Sequence, residues 1–252
     1  MKIKKNNDRI KTDGFTLREL AREPHEGTHI SVLILLLTLN AGWTDLVAYL
    51  FLSKVFASFM TGNVLFIGLA FAQGDVGLLI RAAIALLVNF VGVTVGALVI
   101  QRAPLRRTAR GWRNRIVVTL LIEWIFLLAF ALVWFMMGNL IHAQQIILLA
   151  LAAFGMGIQG AIVIAFEFPG VVANAMTGVV LVLGQRVGRG IAGKGIADSG
   201  PQASEWRWTF LLPVLYALGA VAVGLTSASP LTPVFPLIVL TITIIYVLSR
   251  VA

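Results

Sequence analysis

The chain has 252 residues, of which 59% are hydrophobic and only 12% are charged, and its mean hydropathy is +0.92. A soluble domain averages about 25% charged residues and less than half apolar residues. This composition therefore argues against a soluble protein and predicts an integral membrane protein. The sequence contains no cysteine, which excludes a disulfide framework, a thiolate metal site and a cysteine nucleophile.

The formal net charge is +9, but its distribution argues against nucleic-acid binding. Most of the 20 Lys and Arg residues fall into three clusters that alternate with apolar runs: seven in 1–29, six arginines in 102–115 and four in 186–207. Polytopic membrane proteins mark their cytoplasmic loops in this way. We therefore expect the partner of the chain to be a lipid bilayer, with the three clusters in the cytoplasm.

In chain order, a polar tail over 1–29 precedes a single transmembrane domain over 30–249. The first apolar run follows this tail, so no signal peptide is predicted and the run is expected to remain as a spanning helix. A spanning helix needs about 20 apolar residues. Six segments meet this requirement: 30–51, 78–100, 116–138, 144–166, 209–226 and 231–249.

Two further apolar stretches, 55–72 and 169–184, are shorter and share a motif. Residues 55–68 align without gaps to residues 171–184, and eight of the fourteen positions are identical, including Met-Thr-Gly in both. The same displacement along the sequence, 116 residues, carries 30–51 onto the fourth long segment. Chance similarity between apolar segments is the alternative, but the shared motif favours an internal duplication into repeat one, 30–138, and repeat two, 144–249.

The charge clusters constrain how often the chain crosses the membrane. If both short stretches span, the arginine-rich loop 101–115 lies outside, against the positive-inside rule. If both are re-entrant or broken helices, six crossings remain, and both termini and all basic clusters are cytoplasmic. The predicted fold is therefore an all-α integral membrane protein of about six transmembrane helices in two inverted three-helix repeats, as in transporters with interrupted helices. The location predicted is a bacterial inner membrane. The alternative is that one or both of the short stretches span the membrane.

Two carboxylates fall within predicted spans. Asp45 lies toward the outer end of the first span and Glu123 nearer the middle of the third. A carboxylate in a spanning segment costs about 2.5–3.5 kcal/mol, which favours a role in substrate binding for Asp45, and in proton or ion coupling for both. Alternatively, Asp45 caps a helix end in contact with water, and Glu123 pairs with an arginine of loop 101–115.

The Met-Thr-Gly motifs supply the other predicted substrate-binding residues. Glycine allows close backbone approach, and threonine hydroxyls satisfy carbonyl groups freed by a helix break. Side-chain amides near both motifs and in the fourth span can bond a solute or the other repeat. The predicted set is Thr61, Gly62, Asn63, Gln159, Asn174, Thr177 and Gly178. Tight helix packing through small residues is the competing interpretation.

Chemistry other than binding finds little support in the sequence. The three histidines, His25, His29 and His142, lie in the tail and in a predicted outer loop. No Walker loop, dinucleotide fingerprint or metal-ligand cluster can be recognised. We therefore expect no enzymatic activity and no cofactor or metal.

The segment Ala41-Gly-Trp-Thr-Asp45, followed by Phe56–Asn63 with its Thr-Gly-Asn, resembles the YoaK-like family of bacterial membrane proteins. Gly157-Ile-Gln-Gly160 and Met176-Thr-Gly178 are similar to the second half of the family pattern. The resemblance covers about 30–249 and leaves out the tail and the insert 186–208. It implies a bacterial multipass protein of roughly six helices, and it carries no biochemical activity.

Two functions are compatible with these patterns. The first is a small-solute transporter or channel, with a site formed by the two Met-Thr-Gly segments and an unknown solute as partner. The alternative is a non-transporting assembly or sensory protein whose basic loops bind a protein or anionic lipid. A homodimer is compatible with either function.

Overall fold

The computed structural model describes residues 24–52, 54–102, 109–136, 142–166, 176–192, 206–226 and 232–250. Every regular element in these ranges is an α-helix. The helices are α1 Pro24–Phe51, α2 Met60–Gln73, α3 Val76–Arg102, α4 Ala109–Met136, α5 His142–Ala165, α6 Met176–Ile191, α7 Trp206–Thr226 and α8 Phe235–Arg250. The predicted all-α class is confirmed.

Within the described ranges, four helices are long and apolar enough to cross a membrane: Ile30–Phe51, Val76–Gln101, Asn114–Met136 and Ala143–Ala165. They lie within a few residues of the first four predicted spans. Shorter apolar helices over Phe210–Thr226 and Phe235–Ser249 occupy the last two. Helix α1 begins at Pro24, six residues before its predicted span, and so takes in the end of the predicted tail.

The short stretch 55–72 divides into two parts. Lys54 adopts a left-handed backbone conformation with φ of 64°, residues 55–59 are not helical, and α2 begins at Met60. Gly74 ends α2 with φ of 68°, and its N–H donates to the carbonyl of Ala70. In the second stretch, α6 begins at Met176, and 169–175 lie outside the described residues. Both Met-Thr-Gly motifs therefore form the first turn of a short helix.

Helices α3 and α5 form the most extensive contact in the described structure. A Cβ on Gly92 would collide with the carbonyl of Phe154, and a Cβ on Gly157 would lie 3.0 Å from the Cα of Gly92. One turn further along both helices, Gly96 lies against Ile158. Because the contact moves from Phe154 to Ile158 on α5 as it moves from Gly92 to Gly96 on α3, the two helices run parallel.

Helices α1 and α7 cross in the same way. A Cβ on Gly219 would meet the carbonyl of Leu39, three residues before Gly42, and a Cβ on Gly42 would meet the carbonyl of Tyr216, three residues before Gly219. The α3–α5 crossing shows this reciprocal pattern too. Small residues allow such backbone contact in membranes, where hydrophobic burial gives no drive for helix association.

We expect Gly157→Ala to destabilise the protein strongly, because the added methyl group would overlap the carbonyl oxygen of Asn89 and lie 2.9 Å from the backbone nitrogen of Val93. Overpacking of this kind costs about 1–3 kcal/mol. Gly68→Ala is the matched control, since no atom lies within 4 Å of its added Cβ. Thermal unfolding in detergent measures both, and equal melting temperatures would contradict the proposed role of the glycine crossing.

Candidate functional site

Three polar side chains meet inside the helix bundle, and we refer to Asn40 of α1, Glu123 of α4 and Gln159 of α5 as the polar centre. All three are fully buried, with 0% of their surface exposed. The Asn40 Nδ2 donates to Gln159 Oε1 at 3.0 Å and to Glu123 Oε1 at 3.5 Å. The centre therefore joins helices from both predicted repeats, since α1 and α4 fall in the first and α5 in the second.

The direction of these hydrogen bonds follows from one backbone contact. Gln159 Nε2 donates to the carbonyl of Leu37 at 2.9 Å, and a carbonyl can only accept. Gln159 Oε1 must therefore face Asn40 as an acceptor, which turns the Asn40 NH₂ group toward it. Two buried acceptors have no hydrogen-bond partner among the described residues: Asn40 Oδ1 and Glu123 Oε2.

A second buried carboxylate, Asp45, organises the non-helical segment before α2. Its Oδ1 accepts from the backbone N–H of Ser58 at 2.6 Å, and from that of Phe59 at 3.4 Å. Its Oδ2 accepts from the hydroxyl groups of Ser58 at 2.5 Å and of Tyr216 at 2.6 Å. Asp45 thus supplies hydrogen-bond acceptors just before the first turn of α2, where helix N–H groups lack partners.

Asn63 closes the same segment through its side-chain amide. Its Nδ2 donates to the carbonyl of Phe56 at 2.7 Å, and its Oδ1 accepts from the N–H of Phe56 at 2.9 Å. Gly62 lets the segment fold tightly, because a Cβ there would lie 2.6 Å from a ring carbon of Phe59 and 2.8 Å from the Phe56 ring. These two motif residues satisfy and pack the local backbone.

Asn89 of α3 connects the non-helical segment to α5. Its Nδ2 donates to the carbonyls of Ala57 and Ala153, each at 3.2 Å. The Ala57 carbonyl cannot be paired within a helix, so a side chain from a neighbouring helix supplies the partner that the membrane interior lacks. We call this contact the Asn89 bridge.

The relative direction of α1 and α5 follows from two contacts. Asn40 and Gln159 touch, while Asp45, about 7 Å further along α1, touches Ser58. The carbonyl of Ala57, next to Ser58, accepts from Asn89. Asn89 also donates to Ala153 of α5, which lies about 9 Å before Gln159 along that helix. Moving forward along α1 therefore means moving backward along α5, and the two helices run antiparallel.

The structure places the sequence-predicted residues in different surroundings. Asp45, Glu123 and Gln159 are buried, and Gly62 and Asn63 are buried within the segment that they shape. Thr61 and Thr177 are exposed on their helices, and a Cβ added to Gly178 would meet open space. Asn174 lies outside the described residues. The alternative in which Asp45 sees water at a helix end is wrong, because Asp45 is 2% exposed.

Sequence reasoning missed three participants: Asn40, Ser58 and Tyr216. Asn40 carried a signal, since it is an amide in the middle of an apolar run. Ser58 and Tyr216 carried none, because Ser58 lies in a non-helical turn and Tyr216 comes from α7, far away in sequence. In the described residues, no group of three or more His, Cys, Asp or Glu side chains could hold a metal ion.

A bundle of long apolar helices around buried polar side chains defines a polytopic membrane protein. Residues 33–248 match the model of a family described as "Protein of unknown function (DUF1275)", and the chain belongs to this family. It is 27% identical over 198 residues to the UPF0700 transmembrane protein YoaK of Bacillus subtilis (strain 168), an alignment that covers 78% of this chain and 84% of that relative. The predicted resemblance is confirmed. No solved structure matches the chain.

We expect Asn63→Ala to lower stability by about 1–3 kcal/mol, because it leaves both polar backbone groups of Phe56 without their present partner. Thr61→Ala, two residues away on an exposed position, is the control and should change stability by no more than about 0.5 kcal/mol. Thermal unfolding of the purified variants makes the comparison. A larger loss for the Thr61 variant would show that the amide does not hold the segment.

Proposed function

We propose that the protein is a small-solute transporter or channel of a bacterial inner membrane, with its site at the polar centre and the adjoining non-helical segment. The observation that carries the proposal is a carboxylate and two amides buried at the contact of both repeats, with two acceptors unpaired. Polar groups are costly at membrane depth, and those retained there mark substrate and ion pathways.

The helix directions support a re-entrant first stretch. Helix α1 is antiparallel to α5, and α3 is parallel to α5, so α1 and α3 run in opposite directions. The connecting residues 52–75 must then begin and end on the same side of the membrane. Non-helical backbone at depth is tolerated where it is buried in protein or lines a cavity, and Asp45, Asn63 and Asn89 provide such burial for 55–59.

The pattern of helix contacts supports an inverted pair of repeats. Each helix of one repeat can be exchanged with its counterpart in the other: α1 with α5, α2 with α6, α3 with α7 and α4 with α8. This exchange turns the α3–α5 contact into the α7–α1 contact, and the α4–α5 contact into the α8–α1 contact. The α2–α3 contact becomes α6–α7, while α1–α5 and α4–α8 map onto themselves. Equivalent helices α1 and α5 are antiparallel, as an inverted repeat requires.

This arrangement gives six crossings with both termini in the cytoplasm. The basic clusters 1–29, 102–115 and 186–207 then share the cytoplasmic side, in agreement with the positive-inside rule. Asp45 and the Asn89 bridge lie on the outer side of the polar centre. A solute entering from outside would reach the non-helical segment first and the polar centre next.

The re-entrant stretch can be tested with single cysteines, since the chain has none of its own. Lys54→Cys and Gln73→Cys flank the stretch at exposed positions, and both should react with an impermeant maleimide on intact cells. Gln101→Cys, exposed at the far end of α3, is the control and should react only after permeabilisation. Labelling of one flanking cysteine without the other would mean that the stretch spans the membrane.

A transport pathway requires that water reach the site from each side in turn. Ser58→Cys is a near-isosteric probe at the buried tip of the non-helical segment, and Ala131→Cys is a control in the apolar part of α4. We expect the permanently charged, membrane-impermeant reagent methanethiosulfonate ethyltrimethylammonium to modify the Ser58→Cys variant in both right-side-out and inside-out vesicles, while the Ala131→Cys variant stays unmodified. Modification of the Ser58→Cys variant from one side alone, or from neither, would contradict transport through this site and favour the assembly or sensory function.

A further inference from the structure

The two unpaired acceptors of the polar centre belong to neighbouring side chains. Glu123 Oε1 already accepts from Asn40 Nδ2 at 3.5 Å, so the remaining polar atoms of these two bonded side chains are Glu123 Oε2 and Asn40 Oδ1. Both atoms are buried and have no hydrogen-bond partner. Two acceptors cannot bond each other, so the centre lacks one donor.

A single hydrogen would satisfy both atoms. If Glu123 Oε2 carries a proton, that hydroxyl can donate to Asn40 Oδ1 while Asn40 Nδ2 donates to Glu123 Oε1. The carboxylic acid and the amide then form a cyclic pair with two hydrogen bonds. The Asn40 amide cannot turn round to supply the donor itself, because Gln159 and the Leu37 carbonyl hold its orientation.

We propose that the polar centre is a proton-binding site. In it, the protonated, neutral Glu123 carboxyl group donates a hydrogen bond to Asn40 Oδ1. This inference names the coupling ion, and its role in transport rests on the proposed function. A metal cation fits less well, because it needs several oxygen ligands to replace its hydration shell. The centre offers two unpaired oxygens, and Gln159 Oε1 is already bonded.

The groups that could compensate a charge on Glu123 lie elsewhere in the described structure. On α4 itself, Arg115 lies about 12 Å before Glu123, and its Nη1 donates to the carbonyl of Ile100. Asp45 on α1 is held by the non-helical segment and α7. Helix α5 has no Asp, Glu, Lys or Arg, and its histidine is its first residue. The other titratable groups on the helices packed around α4 are Tyr49 on α1, Arg81 on α3 and Tyr246 on α8. Toward the helix ends the sequence adds His25, Glu26 and His29 on α1, Arg102 on α3, Arg110 and Arg113 on α4, and Arg250 on α8.

The protonation state can be observed directly by infrared spectroscopy on the purified full chain in lipid nanodiscs. A protonated carboxyl group gives a carbonyl band that an ionised carboxylate lacks. We would record it at neutral pH in an Asp45→Asn background, so that Glu123 is the buried carboxyl that remains among the described residues. The band should be present there and absent when Glu123→Gln is added. Identical spectra for the two variants would overturn the proposal.

Thermal unfolding supplies a second measurement with matched variants. Glu123→Gln should melt close to the wild type at neutral pH, because its NH₂ group can donate to Asn40 Oδ1 in place of the acid. Glu123→Leu removes both bonds and should melt lower by about 4 °C or more. As pH rises, the wild type should lose stability when the proton leaves, and the Gln variant should not. Stabilisation of the wild type alone by sodium ions would assign a metal site instead and overturn the proton assignment.

The transport hypothesis and the proton assignment can fail separately, and the two failures give different results. If the Ser58→Cys variant is unreactive in both vesicle orientations but the infrared band is present, the proton site stands as a structural element and transport does not. If that variant is reactive from both sides and the band is absent, the pathway stands and the proton assignment fails.

Discussion

The structure depends on satisfying polar backbone groups where no water is available. Between α1 and α2 the chain leaves the helical conformation over residues 55–59, and every polar group there needs a partner from another part of the protein. Asp45 accepts two backbone N–H groups, Asn63 pairs with Phe56 through both of its amide atoms, and Asn89 donates to Ala57. The polar residues scattered through the apolar helices are the partners that make this break in the helix possible.

Much of the helical architecture could be predicted from the sequence, because apolar runs of spanning length are a strong and local signal. The first four predicted spans match long helices, and the two Met-Thr-Gly motifs lie at equivalent starts of α2 and α6. Prediction was weaker at α1, which begins at Pro24 within the tail, because polar residues at a helix end carry no hydropathy signal. The sequence likewise left the spanning and the re-entrant alternatives open, because helix direction depends on contacts between segments that are distant in sequence.

The site was predictable by residue type but not by arrangement. Asp45, Glu123 and Gln159 stood out because charge and amide groups are rare in spanning segments, and all three are buried. Their partners depend on contacts between distant segments, such as Tyr216 with Asp45 and Asn40 with Gln159, which local patterns cannot reveal. The prediction that Asn63 binds a solute stays a prediction, although its amide already bonds both polar groups of Phe56.

The Tyr216 hydroxyl has a mechanical consequence for how this bundle can deform. Helices α1 and α7 touch backbone to backbone at Gly42 and Gly219, and Tyr216 extends from this crossing to the carboxylate that also holds Ser58. The two helices and the tip of the broken segment are thereby joined through one carboxylate. Helices α1 and α5, by contrast, share a small contact made largely through side-chain amides, where rotamer changes can accommodate sliding. A displacement of α1 against α5 would therefore change the hydrogen bonds of the polar centre first.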